Sequence, residues 1–482
     1  MKAKHRILAA GMAAAMTLSL AACGGSASTA EPTASSTVEA AAPEATSEAA
    51  GGDVTEVTWW TYFGDKNIGY LQNIIDDFNN SQNQYHVTIV YQGNQMECNA
   101  KLQSTEKENL PAMFSGAVED VAMYANSDFC VPLQKYVDAD TEGWQELDDT
   151  WDALRSAYSD GQGNLIGYPI GYSYPNIFYN ADLLKKAGVD PASIQSFDDL
   201  YDASKTIVDG GFATYGIGFF ANGAMFNVAL GREGVQAYNN ENGLNGQPVT
   251  ECLYDSDTTV HDSIYNMLSI YQKMGAEKLC VPYGADYQSE IIPQMASGDC
   301  AMMMGVISMT TKVLDAAAGN FEVGVIPMPS ASESGKRTGE PAAGTGTYVC
   351  DNGNEKAMQG AYEFIKFAST GEQAGYFASA TGYIAPNQEA YDSAAYKTYR
   401  EETFPGISVV YDSLAKSDSS ATNPYVAISN EMRDANKVAM ETAATDPTAD
   451  INTVITTAKD SIQEALDIYT NPIPNHVLDF SL

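Results

Sequence analysis

Three segments of the sequence crowd aromatic side chains beside polar ones, as a binding site for a small polar ligand requires. Trp60 and Tyr62 close a strand-like run, several tyrosines surround Ser173, and several phenylalanines accompany Asn222. Sugars present apolar ring faces bordered by hydroxyl groups, so aromatic rings with amide and carboxylate partners suit them. In open α/β sheets such sites lie beyond the carboxyl ends of the strands. Ordinary core packing is the alternative interpretation for part of these aromatic residues.

Motifs of catalysis, cofactor binding and metal binding are missing from the sequence. It contains no nucleophile elbow, phosphate-binding loop, dinucleotide fingerprint or HExxH motif. The acidic pairs Asp76-Asp77, Asp148-Asp149 and Asp198-Asp199 point apart on helices, whereas glycosidase carboxylates face each other across the substrate. The seven cysteines include no CxxC pair, and the four histidines are far apart. We expect a protein that is not an enzyme and has neither cofactor nor metal.

The N-terminus has the features of an export signal. Lys2, Lys4 and Arg6 precede the apolar run 7–20, which is short for a membrane span. Leu20-Ala21-Ala22-Cys23 resembles the bacterial lipobox, in which the cysteine is lipidated and becomes the mature N-terminus; an ordinary signal peptide is the alternative. Residues 24–53 are almost entirely small, polar or acidic, which predicts a flexible tether. We predict a signal peptide over 1–22, lipidation at Cys23, and an extracytoplasmic protein anchored to the cell membrane.

The composition limits which partners the protein can bind and how many domains it can form. A formal charge of −37 without a basic cluster excludes nucleic acid as a partner. The chain has 482 residues, 44% of them hydrophobic, which suffices for two domains with cores of their own. Because disulfides are permitted outside the cytoplasm, Cys252 and Cys280, which flank one predicted helix, are the best candidates for a pair. We expect a monomer.

Periodicity predicts a chain that alternates strands and helices. Residues 57–61 and 85–91 are strand-like and enclose a helix containing Leu71, Ile74 and Phe78, which makes a βαβ unit and implies a parallel sheet. Further elements are predicted as helices at 181–187, 197–208 (capped by Ser196 with Asp199), 357–368 and 447–469, and as strands at 301–307 and 321–326. The predicted class is α/β, and the length favours two lobes.

Residues 164–191, NLIGYPIGYSYPNIFYNADLLKKAGVDP, resemble the central signature of the extracellular solute-binding proteins of ABC sugar importers. Five more blocks match this family in order, at 78–94, 110–125, 297–305, 321–329 and 377–386. The resemblance covers essentially all of 54–482 and is nearest to the branch that binds glycerol phosphates and oligosaccharides.

The resemblance implies a periplasmic-binding-protein-like fold whose two lobes, each a mainly parallel sheet flanked by helices, close on a ligand and then dock on a membrane permease. It implies these boundaries: lobe one at 54–170 plus 348–395, lobe two at 177–341 plus 396–482, and hinge segments at 171–176 and 342–347. Gly344 and Gly346 would absorb dihedral change on closure or let a ligand approach the backbone; a tight turn is the alternative.

The ligand preference follows from two departures from the glycerol-phosphate branch. Gln95 stands where a tyrosine is expected, and Ser417 to Asn430 contains no arginine or lysine to hold a phosphate. We therefore expect a neutral carbohydrate, a small oligosaccharide, with glycerol phosphate or another polyol as the alternative and an exported carbohydrate-active enzyme or adhesin as a third. The resemblance places the ligand-binding residues at Trp60, Tyr62, Gln95, Glu119 and Asp120 in lobe one, Tyr172, Ser173, Tyr174 and Gly344 at the crossovers, Phe220, Asn222 and Ser308 in lobe two, and Tyr383 in a lobe-one loop.

Overall fold

The computed structural model of the protein describes residues 54–332, 341–417 and 423–469. The predicted signal peptide, Cys23 and the tether lie outside the described residues. Within these three ranges, no helix combines the length and apolar character needed to cross a membrane.

The described chain alternates strands with helices throughout, as the sequence predicts. The strands are β1 Thr55–Thr61, β2 Tyr85–Tyr91, β3 Met113–Ala117, β4 Cys130–Val131, β5 Tyr168–Ser173, β6 Pro175–Asn180, β7 Tyr215–Gly218, β8 Cys300–Val306, β9 Val323–Pro327 and β10 Ala343–Cys350. The first ten helices are α1 Asp65–Ser81, α2 Gln95–Ser104, α3 Val121–Ala125, α4 Gln134–Ala139, α5 Gln145–Asp148, α6 Asp152–Ala157, α7 Ala181–Ala187, α8 Phe197–Asp209, α9 Ala224–Glu233 and α10 Asn239–Asn242. The others are α11 Thr258–Ala276, α12 Ile292–Ser297, α13 Thr310–Ala317, α14 Glu355–Ala368, α15 Gly371–Thr381, α16 Gln388–Asp392, α17 Ala394–Thr398, α18 Ile407–Leu414, α19 Ser429–Thr445 and α20 Ile451–Tyr469.

The first sheet has the order β2-β1-β3-β10-β4, with β5 also paired to β10. β1 runs parallel to β2 and to β3, while β10 is antiparallel to its neighbours. The predicted βαβ unit is confirmed. Its helix buries Leu71, Ile74 and Phe78 against the sheet, because these positions recur at the spacing of one helix face.

The second sheet has the order β7-β8-β6-β9, with β7 parallel to β8 and β6 antiparallel to both of its neighbours. The two strands predicted at 301–307 and 321–326 are confirmed as β8 and β9 within two residues at each end. A second hydrophobic core, which includes Leu268 and Met440, lies beneath this sheet and its helices. The protein thus has the predicted two-lobed α/β fold.

Local capping signals fix several helix ends. At the start of α8, the N–H of Asp199 donates to Ser196 Oγ over 3.1 Å and the N–H of Ser196 donates back to Asp199 Oδ2 over 2.9 Å, so the predicted capping box is confirmed. The predicted start of the last helix at Pro447 is wrong, because Asp446 accepts from the N–H of Thr448 over 2.8 Å and holds a turn there. α20 begins only at Ile451.

One of the connections between the two sheets is a single residue long. Only Tyr174 separates β5 in the first sheet from β6 in the second. Gly344 and Gly346 belong to β10, so the tight-turn interpretation of this segment is wrong. Gly344 has a φ of +122°, and a Cβ there would lie 2.4 Å from the carbonyl oxygen of Gly171, so only glycine fits this close strand pairing. The predicted lobe and hinge boundaries stay a prediction.

The disulfide expected between Cys252 and Cys280 is not formed. Both residues are buried and free. They flank the 19-residue helix α11, whose ends are about 28 Å apart at 1.5 Å per residue. A disulfide requires Cα atoms within about 7 Å. Flanking this helix therefore does not by itself bring the two cysteines together.

Candidate ligand site between the two sheets

Aromatic side chains at the end of β1 form one wall of the candidate site. The hydroxyl groups of Tyr62 and Thr345 lie 2.9 Å apart, which joins β1 to β10. The ring of Phe63 packs edge-on against Tyr383, with centroids 6.1 Å apart, and Tyr383 stacks on Phe377 at 5.8 Å. Tyr62 and Tyr383 are only partly exposed, so the wall presents ring surface and hydroxyl groups together. That combination suits a ligand with apolar faces and polar edges.

Tyr383 connects this wall to the second sheet. Burial raises its pKa to about 12, and a hydrogen bond with the Ser308 side chain opposes the rise. Ser308 follows β8, and its backbone N–H donates to Ser173 Oγ over 3.1 Å. Burial also raises the pKa of Tyr62 well above its usual value, and the Thr345 hydroxyl opposes that rise. Both phenols therefore stay neutral and can donate hydrogen bonds at any physiological pH.

The predicted crossover residues are buried rather than open to the site. Tyr172, Ser173 and Tyr174 are 1%, 2% and 0% exposed. The Tyr172 carbonyl oxygen accepts from the N–H of Ile384 over 2.9 Å, and the hydroxyl groups of Tyr174 and Ser417 lie 3.0 Å apart. These contacts hold the crossover in place, and they are the core packing that the sequence left as the alternative.

Asp120 is the most densely bonded carboxylate of the site. It is fully buried, at 0% exposure. Its Oδ2 accepts from Gln95 Nε2 over 2.8 Å and from Asn99 Nδ2 over 3.1 Å. Its Oδ1 accepts from Ser429 Oγ over 2.6 Å and from Arg433 Nη2 over 3.1 Å. A buried charge requires this kind of complete pairing.

Glu119, next to Asp120, faces the same guanidinium. Burial raises its pKa to about 7, while the charge of Arg433 lowers it and the charge of Asp120 raises it. Arg433 itself is 15% exposed at the side chain, and the pKa of its guanidinium is raised by Asp120 and Glu119 against the effect of burial. The cation is therefore already balanced by carboxylates of the protein.

Trp60 and Gln95 occupy positions beside this network. Trp60 is 8% exposed, and the Lys101 ammonium group lies 4.5 Å from the centre of its ring. Trp60 lies in β1, whereas Tyr62 follows the last residue of that strand. Gln95 takes part in this network through the hydrogen bond that its side chain donates to Asp120.

Phe220 and Asn222 form a separate group on the second lobe. Phe220 packs edge-on against Tyr287 at 5.7 Å, and Tyr287 lies close enough to Tyr383 to raise its pKa. Asn222 Oδ1 accepts from the N–H of Ala224 over 2.9 Å, so its side chain is engaged in ordering the start of α9. Phe220 therefore approaches the aromatic wall through Tyr287.

The structure adds residues that the sequence reasoning missed. Arg433, Ser429, Asn99 and Tyr287 all take part in the contacts above. Ser417 to Asn430 contains no arginine or lysine, as noted from the sequence, but Arg433 lies three residues beyond this segment and reaches Asp120. Ser429 and Arg433 stand four residues apart in α19 and so face the same side, which is a spacing visible in the sequence.

Several of the candidate residues make direct contacts across the two sheets. Two surface cavities, of about 1290 Å³ beside α15 and about 710 Å³ between α19 and α20, contain none of the predicted site residues. The bonds from Asp120 to α19 and from Tyr383 to Ser308 instead bring the two lobes into contact at the site.

Comparison with known proteins agrees with this architecture. Residues 73–404 match the model of the family described as bacterial extracellular solute-binding protein. The sn-glycerol-3-phosphate-binding periplasmic protein UgpB of Brucella melitensis is 24% identical over 364 residues, covering 73% of this chain and 79% of its own. Among solved structures, the GacH receptor of Streptomyces glaucescens, determined unliganded and with acarbose, has a TM-score of 0.69 at 19% identity over 86% of this chain and 99% of its own. UgpB of Mycobacterium tuberculosis, in complex with glycerophosphocholine, has a TM-score of 0.66 at 18% identity over 87% of this chain and 100% of its own. The chain belongs to the family of bacterial extracellular solute-binding proteins.

Proposed function

We propose that this protein captures a neutral carbohydrate, a small oligosaccharide, between its two lobes and delivers it to the permease of an ABC transporter. The proposed ligand class rests on one observation: the aromatic wall lies beside an arginine whose charge is already paired with a carboxylate. Tyr62 and Tyr383, packed against the buried Phe63, offer ring faces and phenolic hydroxyl groups, while Arg433 is bonded to Asp120. Sugars need the first feature and do not need a free cation.

The charge balance argues against an anionic ligand. A buried phosphate is stable only beside cations that are free to pair with it. Arg433 faces two carboxylates, Asp120 and Glu119. A phosphate entering here would compete with Asp120 for the guanidinium and would be repelled by the Asp120 carboxylate, and also by Glu119 above its pKa of about 7.

Glycerol phosphate or another polyol is the second candidate. It is favoured by the relation to UgpB and by the presence of Arg433 at the site. For this ligand to bind, the Asp120–Arg433 contact would have to rearrange so that the guanidinium turns to the phosphate.

The proposed mechanism is closure of the lobes on the ligand. Tyr62 and Tyr383 would hold the ligand on lobe one, and Ser308 and Phe220 would meet it from lobe two, so that only the closed form makes all contacts. The single-residue connection at Tyr174 and the start of β10 at Gly344 would act as the hinge. A protein of this kind performs no chemistry on its ligand.

Anchoring at Cys23 would keep the protein close to its permease. A lipid on Cys23 and a tether over 24–53 would hold the receptor at high effective concentration near the transporter while leaving it free to sample solutes. Metabolic labelling with a fatty-acid analogue, compared between the wild-type chain and Cys23→Ala, tests this part directly. Label retained in Cys23→Ala would contradict it.

Calorimetry tests the ligand class. Neutral malto- or other glucooligosaccharides should release heat with the purified protein, and glycerol 3-phosphate should not. Heat with glycerol 3-phosphate alone would overturn the carbohydrate proposal in favour of the second candidate. Turnover of a bound oligosaccharide in the absence of a transporter would contradict both and point to an enzyme.

A further inference from the structure

Two cysteines face each other across neighbouring strands of the first sheet. Cys130 in β4 and Cys350 in β10 are direct partners in the antiparallel pairing. Residues directly opposite on such a pair carry their side chains on the same face of the sheet. Both are free thiols in this structure, with exposures of 8% and 0%, and both belong to the hydrophobic core that includes Trp59 of β1. Their sulfur atoms therefore share one enclosed space.

The backbone hydrogen bonds identify the type of pair. The N–H of Cys350 donates away from β4, to the carbonyl oxygen of Ala112 over 2.9 Å. The N–H of Asp351 donates to the carbonyl oxygen of Phe129 over 2.8 Å, which belongs to the next position of the ladder. Cys130 and Cys350 thus form a non-hydrogen-bonded pair, whose Cα atoms lie about 4.5 Å apart. A disulfide spans Cα separations of about 4.4–6.8 Å, so the backbone already meets its requirement.

The other cysteines of the described chain lack this placement. Cys280 bridges to Ile217 on one side of β7, while Cys300 pairs with Tyr215 on the other side, so about two strand spacings, or roughly 10 Å, separate them. Cys98 on α2 lies close enough to Cys350 to influence its pKa and is the one competitor for that thiol in the described chain.

We propose that Cys130 and Cys350 are oxidised to a disulfide bond as the exported chain folds. The oxidant is a disulfide donor outside the cytoplasm. The Cys130 thiolate attacks the donor, forming a mixed disulfide and releasing one donor thiol. The Cys350 thiolate then attacks the Cys130 sulfur and releases the second donor thiol. Two thiols of the protein lose two electrons and two protons, and the donor disulfide gains them.

The folded sheet sets the order of these events. Burial raises the pKa of both thiols, and the thiolate is the reactive species, so the closed sheet suppresses attack. Oxidation must therefore precede the closing of β4 on β10. The same burial then shields the finished bond from reductants.

The disulfide would link β10, the strand that the chain enters on its return from the second sheet, to β4 in lobe one. β10 carries Gly344 at its other end, where the chain arrives from the second sheet, and Cys350 closes the strand. A cross-link between residues so distant in sequence removes much freedom from the unfolded chain. Because both cysteines lie in the first sheet, the bond leaves the lobes free to open and close.

Peptide mapping of the full chain, exported by a bacterial host, tests the proposal. The protein is denatured without reductant, alkylated with N-ethylmaleimide, digested and analysed by mass spectrometry. We expect a cross-linked peptide joining Cys130 to Cys350, with Cys98, Cys252, Cys280 and Cys300 alkylated. Alkylation of both Cys130 and Cys350, or a link from either of them to Cys98, would overturn it.

Thermal unfolding with matched variants gives a second readout. Refolding in dithiothreitol should lower the midpoint temperature of the wild type by several degrees. It should lower the midpoint temperature of the control Cys252→Ala/Cys280→Ala by the same amount. The midpoint of Cys130→Ala/Cys350→Ala should not respond to dithiothreitol. An equal response in all three proteins would contradict the proposal. The peptide map requires no variant and decides the matter even where the double variant fails to fold.

Discussion

Arg433 donates from Nη2 to the fully buried carboxylate of Asp120 over 3.1 Å, and this ion pair joins the turn after β3 to α19. Met432, the neighbour of Arg433, lies in the hydrophobic core beneath the second sheet, whereas Val118, in the turn after β3, lies in the core that includes Trp59 of β1. A buried pair of this kind contributes little beyond its desolvation cost, but loss of one partner leaves an uncompensated charge. The pair therefore fixes how the two lobes meet in this conformation.

Replacing Arg433 by methionine should destabilise the protein by about 3–5 kcal/mol, because Asp120 would keep its burial and lose its cation. Urea unfolding followed by circular dichroism measures the change in the free energy of unfolding. Arg155→Met is the matched control, since Arg155 is exposed, and it should change stability by less than about 0.5 kcal/mol. Equal effects of the two substitutions would show that the Asp120 pair is not important for stability.

Asp120→Asn should change ligand selectivity. The amide keeps the shape of the carboxylate but removes the negative charge that balances Arg433. We expect affinity for glycerol 3-phosphate to rise at least tenfold, because the guanidinium gains freedom to pair with phosphate. Calorimetry of wild type and variant with the same ligands measures this. No gain in phosphate affinity would mean that Arg433 does not reach the ligand.

Glu119 should make stability depend on pH. Its pKa in the folded protein, about 7, lies above the usual 4.5, so the folded state holds a proton that the unfolded state has lost between these values. Stability contributed by protonated Glu119 is therefore present below pH 4.5 and lost as the pH rises to 7. Glu119→Gln should match the wild type at pH 4.5 and exceed it by up to about 3 kcal/mol at pH 8.

Urea unfolding at the two pH values checks this, with the exposed Glu106→Gln as control. The control should differ from the wild type by the same small amount at both pH values. A Glu119→Gln effect that does not change between pH 4.5 and pH 8 would contradict the raised pKa.

We expect the Tyr383 hydroxyl group to stabilise the contact between the two lobes and to support ligand binding. Tyr383→Phe keeps the stack on Phe377 and removes the hydrogen bond to Ser308. We expect a loss of about 1 kcal/mol in stability and a several-fold weaker oligosaccharide affinity. Tyr376→Phe, which removes only an exposed hydrogen bond from Asn73, is the matched control and should leave affinity unchanged. If both variants bind equally well, Tyr383 does not contact the ligand through its hydroxyl group.

Local signals in the sequence were sufficient for much of the fold. The β1–α1–β2 unit and the α8 capping box follow from spacing within a short window, and the structure has both. The start of α20 was missed because a turn at Asp446 competes with the helix that follows. The family resemblance led residues 342–347 to be interpreted as a hinge, with a tight turn as the alternative, yet they open β10, where close pairing with β5 requires Gly344.

The site was less predictable than the fold, because its decisive contacts join distant parts of the chain. Asp120 and Arg433 are 313 residues apart in sequence, and no local pattern indicates that they meet. Tyr62 and Tyr174 were identified from the crowding of aromatic residues and Tyr383 from the family resemblance, but neither separates Tyr62 and Tyr383, which form the wall, from Tyr174, which is buried at the crossover. Only the packing of the two sheets makes that distinction.

Gly344→Ala should disturb the crossover. The residue has a φ of +122°, and a Cβ would lie 2.4 Å from the Gly171 carbonyl oxygen and 2.7 Å from the Ser173 nitrogen. Because both neighbours are backbone atoms of β5, the strand must shift to make room. We expect a loss of at least about 2 kcal/mol in the free energy of unfolding, together with weaker ligand affinity, since the crossover aligns the two lobes.

Gly69→Ala is the matched control for this substitution. Gly69 lies inside α1, and a Cβ there would meet nothing within 4 Å. Alanine should therefore stabilise the protein by about 0.5–1 kcal/mol through its higher helix propensity. Urea unfolding and calorimetry of both variants measure the two effects. Opposite signs for the two alanines would tie the loss at Gly344 to its backbone conformation, whereas a neutral Gly344→Ala would mean that β5 and β10 yield easily and that the crossover is not rigid.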